Sequence, residues 1–173
     1  MPLIKDQRVA VDTWQHIDDD APIPADGGAI VSLRRWQTDR DALIGRNAPL
    51  GVRLDADQSP QEIADDLDRL SLVALDFPQF KDGRSYSYAR LLRERYGFTG
   101  EVRAVGNVLR DQLAFMARCG FDAFEYAGQT PTEEALKAFS NVDSVYQSAV
   151  DRRRTAASIR SDISNVFMNG TCG

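Results

Sequence analysis

Short apolar runs alternate with helix-like segments through the middle of the chain. The runs lie at residues 72–75, 102–105 and 123–124, and the segments between them repeat apolar residues at helical spacing. Strands that alternate with helices in this way are typical of βαβ units, in which the strands are parallel. The pattern therefore predicts an α/β fold with a parallel βαβαβ sheet, arranged as a half-barrel or as a Rossmann-like sheet.

The first third of the chain has the pattern of a β-rich N-terminal extension. Apolar and polar residues alternate over residues 9–14 and 29–36, and residues 50–54 have the pattern of a further strand. Aspartate, proline and glycine residues between the first two runs are typical of a loop. A short helix is predicted over residues 39–44. We expect the N-terminal strands either to extend the parallel sheet or to form a small antiparallel edge.

Two helix starts share a capping motif in which a hydroxyl residue precedes proline and a glutamate follows. They are Ser59-Pro60-Gln61-Glu62 and Thr130-Pro131-Thr132-Glu133. The hydroxyl oxygen accepts a hydrogen bond from a backbone N–H, and the glutamate reaches back to the cap. Two more helices are predicted over residues 85–96 and 107–119. The second is apolar around much of its circumference, which indicates burial.

Composition limits the class of protein. The chain has 173 residues, of which 43% are hydrophobic and 27% are charged, as in an ordinary globular domain. We assign residues 1–147 to a single α/β domain. Residues 148–173 form a Ser- and Arg-rich C-terminal extension, which we expect to be either helical or mobile. The net charge of -5 argues against a protein that binds nucleic acid.

Targeting signals and cofactor motifs are absent from the sequence. No apolar stretch approaches the roughly 18 residues of a membrane span, and the N-terminus lacks the apolar core of a signal peptide. Two cysteines do not make a disulfide framework, so we expect a cytoplasmic protein. There is no G-x-G-x-x-G after a strand, no P-loop and no C-x-x-C motif, so we expect no cofactor.

Several isolated residues could carry chemistry. The aspartates at 18–20 could hold a metal ion, but no second ligand group has matching spacing, so we interpret them as a solvated loop. His16 is the only histidine, and we interpret it as incidental. Cys119 falls late in a buried helix and is interpreted as a core residue. Cys172 is either incidental or a sulfur carrier on a swinging C-terminus.

Polar residues follow each predicted strand of the central unit. In a parallel sheet the carboxyl ends of the strands share one edge, where ligands bind. Asn107 opens a predicted helix, whose first backbone N–H groups lack intrahelical partners and attract anions. We therefore predict an anion- or partner-binding site formed by Asp76, Asp82, Arg84, Asn107, Arg110 and Gln112. The alternative is a structural network of salt bridges and loop caps among Asp76, Asp82, Arg84 and Asp111.

Three segments of the chain have distinctive amino-acid sequences: GVRL, LDFPQFKDGRSYSYARLLRERYGF and GEVRAVGNVLRDQLAFMARCGFDAFEY. Over residues 51–147 the chain resembles an uncharacterised bacterial family whose members are described as probable oxidoreductases of sulfite reduction. The resemblance implies genes beside assimilatory sulfite reductase and implies the haemoprotein subunit of that enzyme as a partner. It implies no established reaction, and an oxidoreductase role is implied by the resemblance alone.

The residues characteristic of that family correspond here to Asp76, Phe77, Pro78, Phe80, Asp82, Gly83, Arg84, Arg93, Arg103, Gly106, Arg110, Asp111, Gln112, Arg118, Gly120 and Phe121. Asn107 stands where the resemblance leads us to expect aspartate, which argues against a catalytic carboxylate at that position.

Three functions are compatible with these patterns. The first is an accessory protein of assimilatory sulfite reduction that acts with the haemoprotein. The second is a small-anion enzyme with its own site at Arg84, Arg110 and Asp76. The third is an interaction domain that carries out no chemistry. The sequence leaves the ligand, the electron donor and the oligomeric state open.

Overall fold

An eight-stranded sheet organises the fold in the computed structural model, which describes residues 1–79, 81–130 and 132–139. In chain order the strands are β1 (Leu3–Lys5), β2 (Arg8–Ala10), β3 (Trp14–His16), β4 (Gly28–Ser32), β5 (Leu50–Leu54), β6 (Leu72–Phe77), β7 (Glu101–Gly106) and β8 (Ala123–Glu125). Their order across the sheet is β2-β1-β8-β7-β6-β5-β4-β3. Neighbours from β3 to β8 are parallel, whereas β1 pairs antiparallel with both β8 and β2.

Helices fill most connections between the parallel strands. They are α1 (Leu33–Ile44), a 3₁₀ helix (Pro60–Arg69), α2 (Arg84–Arg90) with a π-helical turn (Leu91–Arg95), α3 (Arg110–Cys119), and α4 (Thr132–Leu136) with a 3₁₀ turn (Lys137–Phe139). Within the described part of the chain, every helix is too short or too polar to cross a bilayer.

The predicted parallel pairing is confirmed. Strand β6 pairs with β7, and β7 pairs with β8, each in parallel. The spatial order of β3 to β8 follows their order in the chain, and the sheet curls into a half-barrel. A Rossmann-like sheet would reverse its strand order at a switch point, so the half-barrel is the alternative that this chain adopts. The N-terminal strands do both things expected of them, because β3 and β4 extend the parallel sheet while β1 and β2 form an antiparallel edge.

Residues 29–36 do not form one strand, which corrects the prediction for this segment. Strand β4 ends at Ser32, and α1 begins at the next residue instead of at Asp39. The Ser32 hydroxyl accepts a hydrogen bond from the Arg35 N–H at 3.1 Å, so it caps the helix. Trp36 then packs in the core. This cap and this packing outweigh the strand-like alternation.

Two other boundaries also differ from the predictions. Residues 9–14 divide between β2 and β3, which lie at opposite edges of the sheet. Helix α3 begins at Arg110 instead of at Asn107, because the backbone is still extended at Leu109. The helix predicted over residues 85–96 begins at Arg84 and ends in the π-helical turn.

The capping motif at Ser59 is confirmed. The Ser59 hydroxyl accepts from the Gln61 N–H at 3.3 Å, and the Glu62 carboxylate accepts from the Ser59 N–H at 3.1 Å. The second motif includes Pro131, which lies outside the described residues, and α4 begins at Thr132. The extension over residues 148–173, with Cys172, also lies outside them, as do residues 140–147 of the predicted domain. Cys119 is buried, as expected of a core residue.

The two faces of the sheet differ in chemistry. One face packs against the helices through a large apolar core. The opposite face holds a smaller apolar cluster of Ile30, Leu72, Ala74 and Val105, with Trp14 beside it. A side-chain contact across this second face joins β3 to β8, although β4 to β7 separate these strands in the sheet. The second face is therefore the concave inside of the half-barrel.

Candidate functional site

The concave face carries charged side chains from successive strands. Arg53 on β5 and Arg103 on β7 both register with Ala74 on the strand between them. Paired residues of neighbouring strands project to the same face, so both arginines point into the half-barrel. Asp76 and Glu125 lie on the same face at the carboxyl ends of β6 and β8. Ligand sites of parallel sheets gather at these ends.

Arg103 is the centre of a buried ionic network, with a side chain only 1% exposed. Its Nε donates to Glu101 Oε1 at 2.7 Å, and its Nη1 donates to Asp12 Oδ2 at 2.9 Å and to Glu125 Oε1 at 3.1 Å. Burial lowers the pKa of Arg103, but these carboxylates outweigh burial and the pKa is raised. The guanidinium therefore stays charged inside the half-barrel. Its Nη2 is buried and has no hydrogen-bond partner among the described residues.

His16 reaches across the half-barrel to Glu125. The His16 Nε2 and Glu125 Oε1 lie 2.7 Å apart, and the histidine side chain is 38% exposed whereas the glutamate is 11% exposed. Burial raises the pKa of Glu125, but the hydrogen bonds and charges of His16 and Arg103 outweigh burial, and the pKa is lowered. Glu125 is therefore an ionised acceptor that holds a partly exposed imidazole.

A pocket of about 460 Å³ opens beside His16. We call it the mouth pocket, because it lies at the carboxyl ends of β3, β4 and β5. Its lining is polar except for three aliphatic side chains, and consists of His16, Ile17, Asp18, Asp19, Ile30, Val31, Ser32, Arg34, Arg53, Asp55 and Gln58.

Acidic side chains hold the basic groups of the mouth pocket. Arg53 Nη2 lies 3.3 Å from Asp55 Oδ1, and Arg34 Nη1 lies 3.8 Å from Asp19 Oδ2. The Ser32 hydroxyl donates to Asp19 as well as capping α1. The Nε of Arg53 is buried and has no hydrogen-bond partner within the described part of the chain. Arg53 itself lines the pocket, and its side chain is 43% exposed.

Asp76 lies beside this pocket at the end of β6. Burial raises the pKa of Asp76, and the charge of Asp55 adds to that rise, while Arg53 and His16 oppose it. Its carboxylate packs against Gly106, because a Cβ at that glycine would lie 3.0 Å from Asp76 Oδ1 and 2.7 Å from the Phe77 carbonyl oxygen. Gly106 also has a φ of +88°, a conformation that favours glycine.

Asp82 and Arg84 form a local pair at the start of α2. Arg84 Nη2 lies 2.6 Å from Asp82 Oδ2, and the Arg84 N–H donates to Asp82 Oδ1 at 3.2 Å. The hydrogen bonds from Arg84 lower the pKa of Asp82. Asp82 and Arg84 therefore form a loop cap, which is one part of the network of Asp76, Asp82, Arg84 and Asp111 expected as the alternative.

The backbone N–H groups before α3 have partners inside the protein, which corrects the expectation of free donors at Asn107. The Asn107 N–H donates to the Phe77 carbonyl at 2.8 Å, and the Leu109 N–H donates to Gln112 Oε1 at 3.0 Å. Gln112 is buried and also hydrogen-bonds Tyr86 of α2, so it faces the helix layer. Arg110 is half-buried at the first position of α3.

Of the six predicted site residues, the structure associates Asp76 with the charged groups of the mouth pocket. Asp82 pairs with Arg84, while Gln112 caps α3 on the other side of the sheet. The residues of the mouth pocket and its neighbour that the predicted site did not include are His16, Ser32, Arg53, Asp55 and Glu125. One available signal was a charged residue inside an apolar strand, as with Arg53 in LGVRL and with Arg103 in EVRAVG.

Arg93, another residue singled out by the resemblance, has a structural role. Its Nη1 donates to the carbonyls of Phe98 at 2.6 Å and Gly100 at 2.8 Å, and its Nε donates to the Gly120 carbonyl at 3.0 Å. It also pairs with Asp122. Arg93 therefore fixes the loops at the amino ends of β7 and β8, opposite the mouth pocket.

Comparison with known proteins gives a family without an assigned activity. A family described as bacterial proteins of unknown function (DUF934) matches residues 51–157, which is more than half of the chain. The match begins within β5 and includes Arg53, Asp76, Arg103 and Glu125, while His16 precedes it. No curated protein matches the chain significantly. With its match extending through the four core strands β5 to β8, the chain belongs to the DUF934 family of bacterial proteins.

Proposed function

We propose that this chain is an accessory protein of assimilatory sulfite reduction that binds a small oxyanion in the mouth pocket and acts with the sulfite reductase haemoprotein. The pathway and the partner are supported by the resemblance of residues 51–147 to the family described for sulfite reduction. The anion is supported by Arg53, whose partly exposed guanidinium lines the pocket.

The chemistry of the pocket suits a small anion held by several donors. A guanidinium presents parallel N–H groups that match the oxygens of a sulfite or sulfate ion. Arg34 lines the same pocket and supplies a second guanidinium. The lining holds three aspartates, Asp18, Asp19 and Asp55, against two arginines. We therefore expect weak affinity, with Asp55 orienting Arg53 and keeping it from binding anions indiscriminately.

Growth on defined sulfur sources tests the pathway. A deletion strain is expected to grow poorly on sulfate or sulfite and normally on sulfide or cysteine, and the intact gene should restore growth. Affinity purification from cells grown on sulfate should recover the haemoprotein, recognised by its absorbance spectrum and by mass spectrometry. Equal growth of the deletion strain on every sulfur source would remove the pathway assignment.

Two arginine variants test where the anion binds. Arg53→Ala should weaken sulfite binding about ten- to a hundredfold, the effect of losing one charge-assisted contact. Arg110→Ala tests the site that the sequence pattern predicted at the start of α3. Arg90→Ala is the control, because Arg90 is exposed on α2 and pairs with Glu94 at 3.3 Å. Calorimetric titration with sulfite, together with thermal melts, separates loss of binding from loss of folding.

A further inference from the structure

We propose that His16 and Glu125 form a proton-transfer dyad at the mouth pocket, in which Nδ1 of His16 exchanges a proton with the bound oxyanion. The inference rests on the proposed function for the identity of the ligand. It assigns His16 as the residue that touches the ligand and Glu125 as its positioning residue.

The contact between the two side chains fixes the position of the imidazole proton. His16 Nε2 lies 2.7 Å from Glu125 Oε1, within the range of a charge-assisted hydrogen bond. Since an ionised carboxylate only accepts, the proton of this hydrogen bond is on Nε2. A neutral imidazole with Nε2 protonated carries its free lone pair on Nδ1, which has no partner among the described residues. Nδ1 is thus the ring nitrogen left for a ligand.

The glutamate is itself held in place. Arg103 Nη1 donates to Glu125 Oε1 at 3.1 Å, and Asp12 and Glu101 fix the same guanidinium from two other directions. A base oriented by a buried carboxylate, with that carboxylate oriented in turn, is the general arrangement of proton-transfer sites. His16 lines the same pocket as Arg53, so an oxyanion bound to that guanidinium would lie near the imidazole.

The proposed step moves only a proton. When the ligand carries an O–H, that bond breaks as the Nδ1–H bond forms and the imidazolium is stabilised by Glu125. When the ligand is fully ionised, Nδ1 takes up a proton from the buffer, which is left as its conjugate base, and the resulting Nδ1–H donates a hydrogen bond to the anion. The charged groups around this exchange are Glu125, Arg103, Arg53, Asp55, Asp76, Asp18, Asp19 and Arg34.

The competing explanation is that His16 and Glu125 only tie β3 to β8. A purely structural contact would fix the same Nε2–H tautomer, but it would not link anion binding to proton uptake. Because His16 is the only histidine, nitrogen-15 spectra of the full chain contain a single imidazole. The tautomer and its response to an anion can therefore be measured without assignment ambiguity.

The experiment combines these spectra with calorimetry of the full chain, its Glu125→Gln variant and its His16→Gln variant. The ligand-free chain at mildly alkaline pH should show the Nε2–H tautomer, and Glu125→Gln should give a mixture of tautomers. Sulfate, which stays ionised at neutral pH, is the probe. Its binding should be accompanied by proton uptake, measured in two buffers that differ in ionisation enthalpy. His16→Gln should abolish the uptake and weaken binding about tenfold.

The outcomes separate the inference from the proposed function. If sulfate binds the folded His16→Gln variant with the same proton uptake as the unmodified chain, the dyad is overturned and the anion site stands. If neither sulfate nor sulfite binds the unmodified chain, the proposed function and the proton exchange both fall. An Nδ1–H tautomer in the ligand-free chain overturns the dyad whether or not an anion binds. Thermal melts show that each variant is folded.

Discussion

At the scale of single residues, the buried charge of Arg103 determines the character of the concave face. Taking a guanidinium out of water is costly, and the cost is offset only where carboxylates and hydrogen bonds compensate it. Glu101, Asp12 and Glu125 supply that compensation from three different segments of the chain. The network therefore joins these three segments to one buried cation.

Replacing Arg103 should destabilise the fold strongly. Arg103→Met removes the buried cation shared by three carboxylates, although Lys5 still pairs with Glu101 and His16 still contacts Glu125. Breaking such a buried network costs about 3–5 kcal/mol. The free energy of unfolding, measured by urea titration, should fall by that amount. Arg90→Met is the control, because losing an exposed helical pair changes stability by only about 0.5 kcal/mol. Similar losses of stability in the two variants would show that Arg103 contributes no more to stability than Arg90 does.

The pH dependence of the melting temperature should reveal the effect of burying the Asp76 carboxyl group. Burial raises the folded-state pKa of Asp76 above its ordinary 3.8, so the folded protein binds this proton more tightly than the unfolded chain does. The associated stability is present below the ordinary value and is lost as the pH rises through the folded-state pKa. Asp76→Asn removes that loss, so the variant should melt above the unmodified chain at pH near 7.

The same comparison at acidic pH provides the check. The difference in melting temperature between the Asp76→Asn variant and the unmodified chain should shrink as the pH falls below about 4, where both side chains are neutral. Asp57→Asn is the control, since Asp57 is exposed in the loop after β5. A lower melting temperature for Asp76→Asn at neutral pH would show that the ionised carboxylate is needed for stability.

At the scale of elements, the end of β7 requires glycine for two separate reasons. Gly106 has a φ of +88°, and an added Cβ would lie only 2.7 Å from the Phe77 carbonyl oxygen. Gly27 has a similar φ of +82°, but an added Cβ there would meet no atom within 4 Å. The two glycines therefore separate backbone strain from steric contact.

Alanine at these two positions should give different losses. Gly27→Ala should cost about 1–2 kcal/mol, the strain of a left-handed alanine. Gly106→Ala should add about 1–3 kcal/mol from overpacking against β6. It should also shift Asp76, so sulfite binding should weaken in that variant and stay unchanged in Gly27→Ala. Urea titration measures the stability and calorimetry measures the sulfite binding. Equal losses of stability in the two variants would show that β6 moves away from the added Cβ without a loss of free energy.

At the scale of the whole molecule, the half-barrel brings together segments from both ends of the described chain. Residues 11–13 link β2 at one edge of the sheet to β3 at the other, and Asp12 in this link reaches Arg103 on β7. The mouth pocket takes residues from before and within the family match, such as Ser32 and Arg53. The site is therefore a property of the complete half-barrel and is lost when the first strands are removed.

Shortened chains test the predicted domain boundary at residue 147. Phe139 is buried, and its ring lies 5.7 Å from that of Phe124 on β8, so the fold needs the chain at least to that point. A chain ending at residue 147 should melt like the full chain. A chain ending at residue 130 should lose the burial of Ala135 and Phe139, at a cost of about 3–5 kcal/mol or more. A full loss of folding in the longer fragment would move the boundary beyond residue 147.

Local sequence patterns predicted those helices and strands whose signals lie within a few residues of one another in the chain. The apolar runs of β6, β7 and β8 predicted parallel strands, and Ser59 with Glu62 predicted a helix start, because strand alternation and capping depend on neighbours along the chain. The start of α1 could not be read in this way. Ser32 could continue β4 or cap a helix, and only the packing of Trp36 in the core decides between them.

Tertiary structure alone decided the candidate site. His16 and Glu125 are 109 positions apart, and Asp12 and Arg103 are 91 apart, yet each pair shares a hydrogen bond. The sequence by itself determined a parallel α/β unit and placed Asp76 at a strand end. The curl of the sheet brought β3 opposite β8 and turned a histidine interpreted as incidental into the partner of a buried glutamate. Curvature depends on how all the strands twist and pack together, so the pattern of residues in one strand does not reveal which side chains it brings into contact.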